Sequence, residues 1–399
     1  MSVVLADEDR RLVADSAAAF VADQGGPARA RVERAAGALD AACWQAMAAL
    51  GWFGIDVPEA AGGLELGPAA ACVVAEAAGR GLLMPPLTQA MAAAPLLATG
   101  DDAFIARTLA SLLDGRCHVA LIRAAPTDRA AGPAGNLTLR HVPDGDLAQA
   151  FIVAVGEGTT FETRLVDRGA TAASRADRCV DGSWLESLEI TAAKWATAPV
   201  LGRGASGDVA WEKSLALFRL ADAAYSCGLM AMTLSMGLDY LRLRRQFGVP
   251  IGSFQALQHR AVDGHVALAA ARALVHESAG AGARRAGWAA AASVRRATAA
   301  ALALTRENIQ FHGAIGFADE HDAGLCLRRA MTLAARHGDA LQALSMPAED
   351  AVAHQQAARV CRDPKGCFEA RRYFDVGIAK SAPLGVDAGQ RCMTDFCRV

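Results

Sequence analysis

The residues best suited to chemistry lie together in the stretch 240–259, where a cation, an amide and an aromatic ring precede a Gly-Val-Pro turn. Arg244 offers a planar fork that matches phosphate, Gln246 adds hydrogen-bonding groups, and Phe247 offers a ring face for stacking. This combination indicates a site for a nucleotide or another flat anionic ligand. A solvated helix end with a buried Phe has the same composition, so both interpretations stay open for the cluster alone.

A second segment, 310–321, adds a loop with the sequence Gln-Phe-His-Gly-Ala-Ile-Gly-Phe-Ala-Asp-Glu-His. Gly313 and Gly316 permit positive φ and close backbone approach, so that backbone N–H groups can face a pyrophosphate. Ala314 lies between them, and its methyl group is either tolerated or crowds the ligand. A plain turn between two helices is the alternative interpretation of this loop when it is taken alone.

Together these segments resemble the flavin-binding signature of the acyl-CoA dehydrogenase family. Residues 240–259 are similar to Tyr-x-x-x-Arg-x-Gln-Phe-Gly-x-Pro-Ile-x-x-Phe-Gln-x-x-x-His. Residues 310–317 are similar to the family's Gln-x-x-Gly-Gly-x-Gly-Phe loop, with Ala314 replacing the second Gly, and residues 51–80 resemble its turn between two early helices. The resemblance implies that FAD is the cofactor and that it contacts Arg244, Gln246, Phe247, Phe254, Gln255, Gln310, Gly313 and Ala314.

The resemblance also implies an activity, the α,β-oxidation of an acyl-CoA thioester with FAD as hydride acceptor. A buried Glu usually removes the α-proton in this family. The positions that supply it correspond here to His337, Phe218 and Tyr225, so the usual Glu is not found. The candidate catalytic residues are therefore Asp222, one helical turn from Phe218, and His337, since a His can act as a base near neutral pH. The stretch Arg336-His-Gly-Asp is also a natural helix stop, which is the alternative interpretation of His337.

Three functions remain open at this point. The first is an FAD-dependent acyl-CoA dehydrogenase with an unusual base, and the second is a non-catalytic subunit that completes the FAD site of a partner dehydrogenase. The third is a related flavoenzyme of different chemistry, such as a nitroalkane oxidase or a desulfinase. The resemblance permits the second because the family's flavins lie at subunit boundaries, with the Arg-x-Gln-Phe-Gly element of one chain near the Gln-x-x-Gly loop of its neighbour. Its steroid-degrading branch also forms mixed assemblies in which one chain type lacks the base, and the ending 338–340 resembles that branch.

The middle of the chain departs from the family pattern. The family's Thr-Glu-Pro-x-x-Gly-Ser-Asp loop and Trp-Ile-Thr strand hydrogen-bond the flavin ring. In the corresponding region, 121–138, only Pro126 and Thr127 resemble them. The resemblance therefore predicts a degenerate flavin cradle in this region.

Composition narrows the class of protein. A formal net charge of −2 gives no basic excess for nucleic acid. No uninterrupted apolar run reaches the roughly 18 residues that a membrane span needs, and the N-terminus lacks a signal-peptide pattern. The ten cysteines indicate reduced thiols in a cytoplasmic protein, and no metal site is predicted. Metal binding by Cys361, Cys367, Cys392 and Cys397 is the lesser alternative, because their spacing is not a recognised zinc pattern.

Periodicity predicts an α+β fold of the acyl-CoA dehydrogenase type. We expect an N-terminal α-helical domain over 1–116, a small antiparallel β domain over 117–205, a C-terminal four-helix bundle over 206–361, and a tail of unknown structure over 362–399. In the bundle, helices are predicted over 209–246, 254–280, 285–311 and 321–342, with a further one over 347–361.

An oligomer is also predicted, either a homo-oligomer or a hetero-oligomer with another dehydrogenase-like subunit. The C-terminal helices carry apolar residues on more than one face, and surfaces of that kind usually mark interfaces. These residues are Trp288, Val294, Leu302, Leu304, Ile309, Leu325, Leu327, Met331 and Leu333.

Overall fold

The computed structural model describes residues 7–36, 39–124, 135–281 and 283–338. Helices come first, then short strands, then long helices, which confirms the predicted α+β class. The predicted helix over 347–361, the tail after it, and the pair Pro126 and Thr127 lie outside the described residues.

The N-terminal region is helical, as predicted. Asp40 and Asp102 each accept a backbone N–H in the first turn of the helix that follows, so each begins its helix as an N-cap. Pro95 lies inside a helix. Every other residue of this helix is buried, so tertiary packing overrides the local penalty. The helices are α1 (Asp7–Gln24), α2 (Pro27–Ala36), α3 (Ala41–Ala49), α4 (Gly67–Arg80), α5 (Leu87–Leu97) and α6 (Ala103–Leu113).

The middle region forms two small sheets, in the orders β1-β3-β4-β7 and β2-β6-β5. The strands are β1 (Val119–Arg123), β2 (Leu137–Pro143), β3 (Ala150–Val155), β4 (Glu162–Asp167), β5 (Ala172–Arg178), β6 (Trp184–Ile190) and β7 (Val200–Arg203), with α7 (Ala192–Thr197) before the last. The prediction of a purely antiparallel domain was wrong for one pair, because β1 and β3 are parallel. The chain leaves β1, forms β2 in the other sheet, and returns to run beside β1 in the same direction.

The C-terminal region contains the four predicted long helices. They are α8 (Gly204–Leu243), α9 (Gln255–Ala279), α10 (Ala283–His312) and α11 (Asp322–Arg336). A two-residue hairpin, β8 (Arg245–Gln246) with β9 (Val249–Pro250), connects α8 to α9. By length and composition α8 could cross a membrane, but 83% of its apolar window is buried within the chain, as in the core helix of a globular protein.

Two glycines allow α4 and α8 to cross in close contact. A Cβ at Gly228 would lie 1.9 Å from the carbonyl oxygen of Glu76, and a Cβ at Gly79 would lie 1.9 Å from that of Tyr225. Only Gly fits at either position. The crossing therefore fixes the middle of α8, with Asp222 and Tyr225, against the N-terminal helices.

The argument for an oligomer from apolar residues on the C-terminal helices was largely wrong. Val294, Leu304 and Leu333 are buried within the chain, because the long helices pack against one another. Of the predicted residues Met331 is exposed, at 42%, and the most exposed large apolar side chains of the described residues are Leu243, Phe247 and Phe317, at 80%, 91% and 79%.

Candidate functional site

The two candidate catalytic residues meet in the interior. Asp222 lies in the middle of α8, and His337 follows the last residue of α11, so the predicted helix stop is observed. The Nε2–H of His337 donates to Oδ2 of Asp222 at 2.7 Å, and the hydroxyl of Thr88 donates to Oδ1 at 2.6 Å. Both Asp222 and His337 are buried, with exposed fractions of 1% and 8%.

Arg336 joins this pair to a second buried carboxylate. Its guanidinium lies 3.4 Å from Oδ2 of Asp222 and 3.2 Å from Oδ2 of Asp144, on the turn after β2. Gln89 of α5 donates to the same oxygen of Asp144 at 3.4 Å. We call Asp144, Asp222, Arg336 and His337 the buried ion network. It connects α8, α11 and the β region.

The surroundings of Asp222 decide its protonation state. Burial alone would raise the pKa of Asp222, but the charge of Arg336 and the hydrogen bonds from His337 and Thr88 outweigh it and hold the pKa well below its usual range. Both carboxylate oxygens already accept hydrogen bonds. A carboxylate held in its ionised form in this way is a weak base, which is the opposite of a buried Glu poised to take a proton.

The three positions that correspond to the family's catalytic Glu lie in the same part of the interior. The rings of Phe218 and His337 contact each other edge to face at 5.0 Å. The hydroxyl of Tyr225 donates to the backbone carbonyl of Leu83 at 2.8 Å, and the guanidinium of Arg329 lies 5.0 Å above the Tyr225 ring. The correspondence thus selects positions that share one location, and none of them places a free carboxylate there.

The first motif lies on the surface at the C-terminal end of α8. Arg244, Gln246 and Phe247 are exposed, as are Phe254 and Gln255 on the following turn. Among the described residues, none forms an ion pair with Arg244. Phe247 has φ of +53°, which is unusual for an aromatic residue, and it contacts Phe254 edge to face at 6.2 Å. The alternative of a buried Phe at a helix end is therefore wrong.

The second motif forms a short 3₁₀ segment, Gly313–Phe317, between α10 and α11. Gly313 has φ of +62° and open space around its Cα, as expected for a residue that faces a ligand. The expectation of positive φ was wrong for Gly316, which is required because a Cβ there would lie 2.8 Å from the Ile309 carbonyl oxygen. Gln310 and Ala314 are exposed.

Both motifs meet at one end of the same chain. Leu241 and Ile251 from the first motif form a small apolar cluster with Phe311 from the second. The ring of Tyr240 also packs on the ring of His312 at 4.3 Å. Asp222 and Arg244 lie on or at the end of one helix, about 30 Å apart at 1.5 Å per residue. The exposed motifs and the buried ion network are therefore separate parts of the molecule.

Sequence reasoning missed the partners of Asp222 and His337. Thr88 and Asp144 carry no local pattern that points to α8 or α11. Arg329 and Arg336 did carry a signal, because a spacing of seven residues places two cations on one face of an otherwise amphipathic helix. Arg329 is buried and pairs with Asp181 at 3.0 Å.

Two domains of this chain match known protein families. The model of the acyl-CoA dehydrogenase N-terminal domain matches residues 7–116, and that of the C-terminal domain matches residues 206–340. The acyl-CoA dehydrogenase IpdE2 of Mycobacterium tuberculosis (strain ATCC 25618 / H37Rv) is 31% identical over 347 residues, 86% of this chain and 95% of that protein. The chain belongs to the acyl-CoA dehydrogenase family. Members of this family are FAD-dependent flavoproteins.

Solved structures agree with this assignment. A variant of the Tcur3481-Tcur3483 steroid ACAD has a TM-score of 0.69 and 25% identity, over 88% of this chain and 99% of that chain. The ChsE4-ChsE5 complex from Mycobacterium tuberculosis shares the fold, with a TM-score of 0.72 and 21% identity, over 91% of this chain and 100% of that chain.

The acyl-CoA dehydrogenase motifs fit one part of FAD. A pyrophosphate needs cations and free backbone N–H groups, and the exposed Arg244 and the positive-φ Gly313 provide that chemistry. At the buried ion network the residues suit structural ion pairs rather than removal of a proton from an acyl-CoA substrate.

Proposed function

We propose that this chain is the non-catalytic subunit of a heteromeric acyl-CoA dehydrogenase and that it completes the FAD site of a catalytic partner. The observation that carries this proposal is the state of Asp222. It is the carboxylate nearest the positions of the family's base, and Arg336, His337 and Thr88 saturate it. A chain without a free base can still contribute the exposed motifs to a neighbouring subunit.

FAD, when bound, accepts the hydride from the β-carbon of the acyl-CoA substrate. In this proposal Arg244 pairs with the pyrophosphate of that FAD, and Gln246 and Gln310 add hydrogen bonds. Phe247 and Phe254 offer ring faces at the same end of the molecule. The backbone of Gly313 and Ala314 approaches the phosphates, since the methyl group of Ala314 is exposed and needs no space within the chain.

A mixed assembly agrees with the exposed surface. Leu243, Phe247 and Phe317 are large apolar side chains with little contact inside the chain, and an interface would bury them. The relative at 25% identity is a steroid ACAD whose description pairs two proteins, Tcur3481 and Tcur3483. We infer a hetero-oligomer with another dehydrogenase-like subunit and an acyl-CoA substrate on the steroid-degrading branch. A cytoplasmic location stays a prediction.

Visible spectroscopy tests the proposal directly. The chain purified alone should hold little flavin and show no bleaching with any acyl-CoA. Co-expression with a catalytic acyl-CoA dehydrogenase subunit, sought among neighbouring genes, should give a yellow complex that acyl-CoA bleaches. If the chain alone retains FAD and is bleached by an acyl-CoA, it has a complete site of its own and the proposal is wrong.

A second candidate function has one specific observation in its favour. The 2.7 Å hydrogen bond from His337 to Asp222 is the arrangement in which a carboxylate orients a His that acts as a base. If this pair removed the α-proton, His337→Gln would lower kcat per bound flavin by roughly 10²–10⁴. The non-catalytic proposal predicts turnover per bound flavin within about twofold of wild type. Flavin content and thermal stability, measured beside turnover, separate lost chemistry from lost folding.

A further inference from the structure

Three stacked rings lie at the base of the Gly313–Phe317 segment. The Tyr240 and His312 rings are 4.3 Å apart with planes inclined by 32°, and the His312 and His321 rings are 4.4 Å apart with planes inclined by 54°. His312 is the last residue of α10, and His321 is the N-cap of α11. The stack therefore brings together the two ends of the segment 313–320 and joins them to α8.

Hydrogen bonds fix which nitrogen of each His carries a proton. The Nδ1–H of His312 donates to the Asn308 carbonyl at 2.7 Å, and His312 is 5% exposed. Nδ1 of His321 instead accepts the backbone N–H of Ala323 at 3.2 Å. His321 therefore caps α11 through Nδ1 while its ring contacts the His312 ring.

Burial favours the neutral form of His312 within the stack. It is the largest influence that lowers the pKa of His312; the Asn308 carbonyl opposes it, and the neighbouring His321 adds to the lowering. Tyr240 faces the stack from α8. Of the acidic side chains beside His321, Asp319 and Asp322 pair with Arg34 and Arg31 of α2.

Arg31 and Arg34 also hold the outer part of the segment. Arg31 donates to the Glu320 carbonyl at 2.5 Å, and Arg34 lies 2.8 Å from a carboxylate oxygen of Asp319. Residues 319–322 are thus tied to α2, whereas Ala314, Ile315 and Phe317 are exposed. The order of this exposed part depends on how its two ends are held.

We propose that Tyr240, His312 and His321 form a clasp that holds the Gly313–Phe317 segment in position for the pyrophosphate of a partner's FAD. The assignment of FAD as the ligand rests on the proposed function, whereas the residues of this chain alone form the clasp. The three are positioning residues, because they act through the backbone of the segment.

Two substitutions of His321 separate the stack from the helix cap. His321→Asn keeps a side-chain oxygen that can cap α11 but removes the ring. His321→Phe keeps a ring that can stack on His312, but it cannot accept the Ala323 N–H or gain a charge. Because His321 is only partly buried, both variants should fold, and thermal melting verifies this.

Hydrogen exchange on the full chain tests the clasp without any flavin. Relative to wild type at the same pH, His321→Asn should lower the protection factors of residues 314–317 by about two- to tenfold. His321→Phe should keep the wild-type protection. If Asn behaves like wild type while Phe loses protection, the cap matters and the stack does not, and the clasp is refuted.

Flavin content provides the second measurement. In a complex co-purified with the partner and titrated with FAD, His321→Asn should weaken FAD retention by about two- to tenfold, and His321→Phe should not. If His321→Asn lowers hydrogen-exchange protection but leaves FAD retention unchanged, while Arg244→Ala does release FAD, the positioning role is refuted and the proposed function stands. Unchanged FAD retention in both His321→Asn and Arg244→Ala would instead count against the proposed function.

Discussion

Replacement of Arg336 by Met is the sharpest test of the buried ion network. The side chain of Arg336 is 4% exposed, and it alone bridges the carboxylates of Asp144 and Asp222 among the described residues. Met has a similar length and no charge, so the variant leaves Asp222 with only Thr88 and His337, and Asp144 with Gln89 and the charge of Arg329. Removal of one partner from a buried ion pair costs about 3–5 kcal/mol in the free energy of unfolding. For a chain of this size that lowers Tm by roughly 4–6 °C.

The loss should depend on pH, and its sign can be worked out. Burial raises the pKa of Asp144 while Arg336 opposes that rise, so the pKa in the folded variant is higher still. A carboxyl group whose pKa is raised on folding favours the folded state only at low pH, and that contribution disappears as pH rises through the folded pKa. The variant should therefore be most destabilised near about pH 8 and recover part of the loss near about pH 5.

Urea unfolding followed by circular dichroism at both pH values measures these free energies. Arg242→Met is the matched control, because Arg242 is 71% exposed in its pair with Asp239 and should cost less than about 1 kcal/mol. If Arg336→Met matches this control at the higher pH, or loses the same stability at both pH values, then the network does not hold the interior as argued.

Two further predictions concern the exposed motif and the core. Arg244→Ala removes one charge-assisted contact and should weaken FAD retention by the complex about ten- to a hundredfold, whereas Arg242→Ala and Arg245→Ala should weaken it less. Flavin absorbance after gel filtration measures this retention. An Arg244→Ala variant that keeps FAD but melts several degrees lower would contradict the cofactor role. Gly228→Ala should destabilise the chain by about 3 kcal/mol or more, because its Cβ would lie 1.9 Å from the Glu76 carbonyl oxygen. The control Gly287→Ala, whose Cβ has no atom within 4 Å, should be neutral or raise Tm. Equal melting temperatures of the two variants would refute the close crossing of α4 and α8.

Long periodic elements could be predicted from the sequence because their signal is local. The predicted helices over 254–280 and 285–311 agree closely with α9 and α10. The strand β5 has no such local signal, because Ala-Ala-Ser-Arg-Ala-Asp-Arg has little intrinsic preference for a strand. Pairing with β6 defines it, for example Ala172 opposite Glu189. The parallel pairing of β1 with β3 depends on which sheet each strand joins, and no local pattern encodes that.

The site residues likewise divide into those that a local pattern predicts and those that only the fold brings together. The exposed motifs are contiguous in sequence, so their residues could be named directly. The partners of Asp222 could not, because Thr88 and His337 lie 134 and 115 residues away in the chain. The chemistry of Asp222 depends on those partners rather than on its own identity. The position of Asp222, one helical turn from Phe218, suggested a catalytic base. Its contacts in the fold indicate instead a carboxylate with a structural role.

The contrast between the two parts of the chain bears on its role. In the buried ion network, each carboxylate is balanced by donors from other elements of the same chain, so nothing further is required for stability. At the end of α8, Phe247 adopts φ of +53° and is 91% exposed. A left-handed conformation costs a non-glycine residue about 1–2 kcal/mol, and such exposure gives little burial to offset it. Since backbone strain persists where function requires it, we expect the compensating contact outside this chain, at the interface with the proposed catalytic partner.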